Sequence, residues 1–565
     1  MTTLPAVGGR DLARYLPIVA WLPRYRRSAL PRDLIAAITV WALVVPQAIA
    51  YAQIAGLPPQ QGLFAAAGGL LGYGLMGTCR QLIVSPTSST AAISASLVGA
   101  IALGDVTKLA PLSSALAILC GVTFVLLGLL RLGFVSRFIP AAVQVGFMFG
   151  LGMTIIVGQL TKILGVPESS GTFLEQTRGL LADLGDTNLW TVALGVVALA
   201  LLLGGPRRAP GLPWALIVVV GGIVAVALLG LADKGVAVIG LVDGAFPLPA
   251  IPAIAPQDLF ALVPGAIAIA VVGSAESLTV AQSFAEEHRY EIDPDQELRA
   301  NGAGNLVSGL LQGFIVGGGA SQSAAAERAG ASSPIVSLMV AALTVITSVA
   351  LLPLFQDLPQ PVLGAIVISA VIGFLRVAEL RRIAALRRDA FLLALVALGA
   401  TLVLGILSGL IVTVLLALVL LLASFARPEA SVMGQDPSGE LVSLARVPGA
   451  ATLPGVLVLR LDAPLLFLNA GTLHDRVSRA STGMDPRPSV VVLDLSMSAD
   501  LDIGSLDVLG RLDERLRNEG AELRLVHVHR LVQDVLARAA ALGTRTPPIY
   551  ATMADAVDLE RGGAS

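Results

Sequence analysis

Charge is scarce in this sequence: 13% of its 565 residues are Asp, Glu, Lys or Arg, where a soluble globular chain carries about a quarter. Lys and Arg total 37 against 39 Asp and Glu, a formal net charge of −2. No basic face that could neutralise phosphates is available, which excludes a nucleic-acid binder. Cysteine is nearly absent. Cys79 and Cys120 both sit in apolar runs; they are too few for a disulfide framework or a cysteine-ligated zinc site and read as packing residues. No nucleophile–base pair or metal cluster falls at membrane depth, so neither an enzyme nor a cofactor is implied. What the chain has instead is apolar surface: 55% hydrophobic residues and a mean hydropathy of +0.82 define a polytopic membrane protein.

The N-terminal segment carries Arg10, Arg14, Arg24, Arg26 and Arg27. Pro17 and Pro23 interrupt its apolar stretches before they reach the length of a signal-peptide core. Residues 1–31 therefore read as a cytoplasmic lead-in lying at the interface, without a cleavable signal. From there to residue 427 the chain is a succession of apolar runs, most of them near the twenty residues that cross a bilayer. Fourteen segments fit, at 32–52, 58–78, 86–103, 111–131, 138–160, 187–204, 212–232, 258–283, 297–316, 321–330, 333–354, 360–376, 388–403 and 404–425. Basic residues mark the cytoplasmic joints. With the N-terminus inside, these joints hold Arg131 and Arg137, Arg207 and Arg208, Arg289, Arg328, and the run Arg376, Arg381, Arg382, Arg387 and Arg388, while the mainly acidic joint from Pro167 to Asp186 lies outside. Arg80 fits the inside but adjoins an irregular segment.

Residues 430–565 are richer in charge, and their apolar residues alternate or recur at helical spacing. Val456–Leu461 and Val490–Leu495 read as buried strands, Leu506–Asn518 and Leu531–Ala541 as amphipathic helices, and Glu522–Val528 as a strand. A β, α, β, α, β, α order implies a small, separate α/β layer on the cytoplasmic side.

Two membrane segments are polar where ordinary spans are not. The third follows Leu82-Ile83-Val84 and opens with Ser85, Pro86, Thr87, Ser88, Ser89 and Thr90; the tenth follows Gly317, Gly318 and Gly319 and opens with Ser321, Gln322 and Ser323. Ser caps a helix and Pro fits its first turn, so Ser-Pro reads as a helix start. Three consecutive glycines break any helix. If the fourteen spans divide into two sevens, these interrupted segments occupy the third position of each half, a pointer to a transport site. Irregular backbone at that depth must line a cavity or be buried in protein. Two helix N-termini converging there offer free N–H groups and positive dipole ends, which favours an anion. Hydroxyls of Ser88, Ser321 and Ser323, with Gln322, could add donors; the competing reading is local hydrogen bonding and helix packing.

The eighth span holds one ionisable residue, Glu276. An intramembrane acid is costly and points to proton carriage or cation coordination, against a purely structural carboxyl. Gly146 and Gly150, and Gly309, Gly313 and Gly317, read as close-packing faces. His527 and His529 alternate on the expected strand but have no further metal-ligating companions.

Val45-Pro46-Gln47-Ala48-Ile49-Ala50-Tyr51-Ala52, followed by Ala55-Gly56-Leu57-Pro58-Pro59 and Gly62-Leu63, resembles the first-span signature of the sulfate permease (SulP) family, the group that includes solute carrier family 26. Glu276-Ser277 to Phe284-Ala285, then Ile292-Asp293, Asp295-Gln296-Glu297-Leu298 and Asn301-Gly302 to Asn305, resembles that family's eighth-to-ninth-span motif. Residues 430–565 resemble its STAS domain. The resemblance implies two intertwined inverted seven-span repeats, with a core of spans 1–4 and 8–11 moving against a gate of spans 5–7 and 12–14. It places the anion between spans 3 and 10, with Gln47, Tyr51, Thr87, Ser88, Ser321 and Gln322 as binding residues and Glu276 as the proton-coupling acid. Many relatives carry Arg where this chain has Gln322, which implies a less positive site. Ile503 and Gly504 stand where related anti-sigma-factor antagonists carry a phosphorylated Ser, so phosphoswitching is not expected.

These readings together describe a secondary active transporter of small anions of the sulfate, bicarbonate or dicarboxylate class, proton-coupled and elevator-like. It would sit in the cell membrane with both termini cytoplasmic. Its expected partners are the anion, a proton or a sodium ion, the lipid bilayer and a second copy of the chain. The rivals are a sodium-coupled symporter, a carrier of nucleobases or other uncharged solutes on the same fold, and a membrane-anchored STAS scaffold. The nucleobase carrier would want acids in both spans 8 and 10, and span 10 offers none until Glu327. The scaffold has no use for Glu276 or the paired breaks.

Overall fold

The computed structural model describes residues 16–134, 140–167, 171–209, 212–240, 246–426, 430–484 and 486–558; Arg10, Arg14 and Arg137 lie outside them. Each of the fourteen apolar segments is a helix. Spans 1 to 7 are Leu30–Ile54, Pro59–Met76, Ser88–Ala102, Val106–Leu129, Ala141–Leu164, Leu189–Arg208 and Trp214–Leu229. Spans 8 to 14 are Pro256–Glu287, Pro294–Leu310, Ala320–Arg328, Ile335–Ile346, Gln360–Val371, Arg388–Leu404 and Ile406–Ala426. Two further helices, Phe173–Ala182 and Val377–Leu386, lie in the joints after spans 5 and 12. Both alternate polar and apolar residues at helical spacing, as surface helices do.

Packing divides the bundle into two groups. Span 9 packs on spans 2 and 4, span 11 on span 2 and span 8 on span 4; separately, span 13 packs on span 5, and span 12 on spans 5 and 6. Small residues make the first group possible, because lipid supplies no hydrophobic drive for helices to associate and close backbone approach must do so. A Cβ on Gly68 would fall 2.5 Å from the Ser308 Cα, and one on Gly72 2.5 Å from the Ala303 carbonyl, so spans 2 and 9 touch through backbone. In the second group, Gly146 and Gly150 face Ala394 and Thr401 of span 13 in the same way. The second expected glycine face divides: Gly309 lies in span 9 against Ser114 and Ile118, but Gly313 and Gly317 lie beyond its end. Helix termination at Leu310 leaves Gly313 in the turn that follows, where it meets Ala65, and Gly317 in the extended stretch before span 10, where it meets Thr90.

Before spans 3 and 10 the chain is extended. Val84–Ser85 (β1) pairs antiparallel with Gly317–Gly318 (β2), Val84 opposite Gly318 and Ser85 opposite Gly317. The equivalent breaks of the two halves therefore meet each other, in the opposed directions that an inverted repeat requires.

Two compact units are present, Met1–Ala417 and Leu418–Ser565; the division falls within span 14, whereas the sequence change lies just beyond that helix. In the second unit six strands, Ala430–Gln435 (β3), Leu441–Ser443 (β4), Val456–Leu461 (β5), Val490–Asp494 (β6), Glu522–Val526 (β7) and Ile549–Tyr550 (β8), run in the order β4-β3-β5-β6-β7-β8. β5 to β8 are parallel, and β3 is antiparallel to both neighbours. Helices Phe467–Thr482, Ile503–Asn518 and Arg530–Ala541 supply the crossovers. Leu457, Leu459, Val491, Leu493, Leu523 and Leu525 enter one core, while Val456, Val458, Val490, Val492 and Val526 enter another on the opposite face. Burial of both faces is why these strands read as unbroken apolar runs.

The strand expected at Glu522–Val528 stops at Val526, because His527 takes a left-handed φ of 54°. His527 and His529 thus leave the strand. Nδ1 of His527 lies 3.0 Å from Asp494 Oδ1, and Nε2 of His529 2.9 Å from the Ser496 carbonyl. Among the described residues no group of three or more His, Cys, Asp or Glu side chains is placed to hold a metal. Asp502 caps helix Ile503–Asn518, and the nearest hydroxyl, Ser505, is buried and bonded to it at 3.1 Å.

Candidate functional site

Span 3 does not start at Ser-Pro. A residue before proline is driven to extended backbone, and Ser85 accordingly belongs to β1. The cap passes to Thr87, whose Oγ1 accepts from the Thr90 N–H at 3.2 Å while Thr90 Oγ1 accepts from the Thr87 N–H at 3.1 Å. This reciprocal pair occupies two donors of the helix start. Those of Ser88 and Ser89 keep no intrahelical partner. Span 10 starts at Gly319, which has no side-chain cap. Its own N–H bonds the Ile83 carbonyl at 3.0 Å, leaving the first-turn N–H groups of Ala320, Ser321 and Gln322 unsatisfied by the helix.

Gln322 ties three spans together. Its Nε2 donates to Gln47 Oε1 of span 1 at 2.8 Å and to the Pro86 carbonyl at 3.4 Å, and its Oε1 accepts from the Ser85 hydroxyl at 2.6 Å. To do so the side chain folds back over its own helix start: a Cβ at Gly319 would lie 2.1 Å from Gln322 Oε1. The third glycine is thus required by Gln322, since its own φ of −80° is one that any residue adopts.

The candidate residues fall into three connected groups. Gln47 and Gln322 form the pair just described, both at most 4% exposed, and the Gln47 NH2 has no partner among the described residues. Tyr51 and Ser88 are both buried, their side chains within reach of each other. Glu276, partly exposed on span 8, accepts from the Ser89 hydroxyl at 3.2 Å, in the first turn of span 3. Ser321 alone is exposed and bonds none of the others. Spans 1, 3, 8 and 10 therefore converge on the β1–β2 pair.

Three polar side chains at the two helix starts are already engaged by the fold. Thr87 spends its hydroxyl on its own cap. Both ends of the Gln322 amide are engaged, and the fully buried Ser323 hydroxyl accepts from the Ile83 N–H at 2.9 Å. The extended β1 segment needs partners for its backbone, and Ser323 supplies one.

Residues not singled out as site residues complete the frame. Ser277, next to Glu276, accepts from the Gly318 N–H at 3.0 Å. Asn305 holds the approach to β2 from both sides, donating to the Val316 carbonyl at 2.9 Å and accepting from the Val316 N–H at 3.0 Å. Glu297 is fully buried and accepts from the Tyr73 hydroxyl at 2.7 Å, the Thr78 N–H at 2.7 Å and the Cys79 N–H at 3.0 Å, fixing the joint that leads to β1. Glu297 and Asn305 belong to the motif quoted above, where the residues stand out but the task of each does not.

A fourteen-helix bundle of two inverted halves, in which two broken helices meet start to start, is the architecture of a secondary membrane transporter. The family model of the sulfate permease family matches residues 30–397, and that of the STAS domain residues 448–556. A probable sulfate transporter of Mycobacterium tuberculosis is 34% identical over 534 residues, covering 94% of this chain and 95% of that protein. Human solute carrier family 26 member 6 is 31% identical over 501 residues, covering 83% of this chain and 65% of that protein. The solved structure of the murine solute carrier 26 family member A9 anion transporter superposes with a TM-score of 0.90 at 21% identity, over 99% of this chain and 96% of that one. The chain belongs to the sulfate permease family, a family of transporters and not of enzymes, and carries the STAS domain.

Proposed function

We propose that this protein is a secondary active transporter of small anions, of the sulfate, bicarbonate or dicarboxylate class, coupled to protons. The observation that carries the reading is the β1–β2 pair, which presents the starts of spans 3 and 10 to one place with backbone donors left over at both. An anion there meets positive dipole ends and N–H groups, with Ser321, Ser88 and the spare Gln47 NH2 beside them. The relatives named as sulfate transporters support an oxyanion. The neutral Gln322, fixed by Gln47 and Ser85, shapes the site without adding charge.

Glu276 is the proposed coupling group. A carboxyl in a low-dielectric setting resists ionisation, and its bond to Ser89 links its protonation to the helix start that holds the anion. Loading anion and proton together lowers the cost of carrying the core, spans 1–4 and 8–11, past the gate in an elevator-like movement. In the membrane both termini face the cytoplasm, and the STAS domain, residues 430–565, acts in regulation and in assembly of a homodimer.

The test is uptake of labelled sulfate, bicarbonate and dicarboxylates into proteoliposomes with imposed proton or sodium gradients. Wild type accumulates its anion when the proton gradient is directed inward, and Glu276→Gln, which mimics the protonated acid, loses that response while still binding anion. A mutant that continues to concentrate anion on a pH gradient removes Glu276 from the coupling role. A wild type that responds to sodium alone reassigns the coupling ion.

A further inference from the structure

A cavity of about 720 Å³ opens between the N-terminal segment, the joint from span 2 to β1, and the joint from span 10 to span 11. Arg24, Arg26 and Arg80 line it together with Trp21, Tyr25 and Ser332. None of the three guanidinium groups has a carboxylate partner among the described residues; Arg80 lies over the Tyr290 ring, 4.9 Å from its centroid. The indole Nε1 of Trp21 is buried and bonds nothing among the described residues. The wall behind is closed by Asp33, fully buried, which accepts from the Tyr25 hydroxyl at 2.8 Å and the Ser332 N–H at 3.0 Å. Its charge is thus met by neutral donors of the wall, and the arginines are left for something else.

The surroundings identify the ligand class. Val19, Leu22, Leu30, Leu34 and Ile35 are 44–62% exposed beside the arginines, so an apolar band and a cationic rim meet along one short segment. Trp and Tyr at such a boundary mark the membrane interface, and basic pockets between helices there take phosphate head groups. We propose that this cavity binds the head group of an anionic phospholipid, with its acyl chains lying along the exposed face of span 1. The phosphate sits among Arg24, Arg26 and Arg80 and accepts from Trp21 Nε1. Occupancy joins the N-terminal segment to the chain just before β1 and just after span 10, the two segments that carry the broken helices. The lipid therefore acts as a clamp on the frame of the candidate site, independently of which anion is carried.

The experiment is native mass spectrometry of the full-length protein released from phosphatidylcholine nanodiscs containing a minor fraction of phosphatidylglycerol. Wild type is expected to retain phosphatidylglycerol selectively. Each basic residue near an anionic head group contributes roughly a fivefold factor, so R24Q/R26Q/R80Q should weaken retention about a hundredfold. R381Q/R382Q, exposed arginines elsewhere, should leave it unchanged. Should the triple variant fail to fold, R80Q and W21F singly should each lower retention about fivefold. Wild type without a preference for phosphatidylglycerol, or variants that retain it as wild type does, overturn the proposal. Displacement of the lipid by inorganic phosphate at equal concentration also overturns it, since the cavity would then be a site for soluble anions.

Discussion

At the start of span 3 the chain caps itself: Thr87 and Thr90 exchange hydrogen bonds and remove two backbone donors from use. At the start of span 10 there is no such cap; Gly319 leaves room for Gln322 to fold back over the helix start and reach span 1 and the segment before span 3. The two segments hold equivalent positions in the two halves and pair with each other residue for residue, yet one is finished locally and the other is finished by its neighbours. A shared backbone device therefore carries two chemistries. Span 3 contributes a capped end that keeps the Ser88 and Ser89 N–H groups, and span 10 an uncapped one that keeps those of Ala320, Ser321 and Gln322.

The largest effect expected from this difference is at Ser321. The residue is exposed and makes no bond that the fold depends on, so Ser321→Trp fills the space before the span 10 start without disturbing the core. Anion binding by isothermal titration should be abolished, with thermal unfolding near that of wild type. Ser321→Ala should cost only about 1 kcal/mol of binding, as one hydrogen bond does. Equal tolerance of both changes places the anion elsewhere.

Next in size is Gly319→Ala. A Cβ 2.1 Å from Gln322 Oε1 must displace that side chain, leaving the Ser85 hydroxyl and Gln47 Oε1 without their partner. Buried polar groups so orphaned cost about 1–3 kcal/mol, here read as lost anion affinity together with a lower unfolding temperature. Gln322→Ala should reproduce the loss. If Gly319→Ala leaves affinity unchanged, the Gln322 bridge is not what holds the two starts in register.

The comparison also explains what could be read from the sequence. Most spans were legible because a bilayer demands long apolar runs, whereas span 10, Ala320–Arg328, is short and polar and showed itself only by the break before it. The two breaks were legible from Ser-Pro and Gly-Gly-Gly. The assignment of donors was not: that Ser323 serves Ile83 and that Gln322 serves Gln47 and Ser85 depends on which groups β1 and β2 leave unpaired, and that pairing joins residues more than 230 positions apart. In the STAS domain the apolar strands β5 and β6 stand out, while β3, β4 and β8 are short or mixed and receive their identity from the neighbours they pair with. His527 departs from its expected strand because its backbone is left-handed, which no alternation of side chains announces.

A smaller effect is expected from Thr87→Val. It removes the cap, worth about 1 kcal/mol of stability, but leaves the Ser88 and Ser89 N–H groups in place. Thermal unfolding should fall while anion affinity changes by less than it does in Ser321→Ala. A larger loss of affinity than of stability would mean that the cap side of the pair, and not span 10, carries the anion.

The smallest effect lies in the STAS domain, whose polar cluster is of the self-satisfied kind seen at Thr87. Burial works against ionisation of Asp494, but Arg460 at 2.8 Å, the Ser496 N–H at 3.0 Å and His527 at 3.0 Å outweigh it and hold the carboxyl below its ordinary value. A group lowered in this way binds fewer protons folded than unfolded. Its contribution to stability is complete above the pKa of an unfolded aspartate, near 4, and is lost as pH falls through the lower folded value. Between neutral pH and about 5 the term is flat, and it declines only in acid. Arg460 is 40% exposed, so solvent screening keeps the Coulombic part modest. Urea unfolding of the full chain followed at Tyr550 and neighbouring STAS signals should therefore lose part of its acid slope in Asp494→Asn, with the span 3 and span 10 variants keeping the wild-type slope. An unchanged acid slope in Asp494→Asn would show that the cluster orders the loop after β6 without contributing pH-dependent stability.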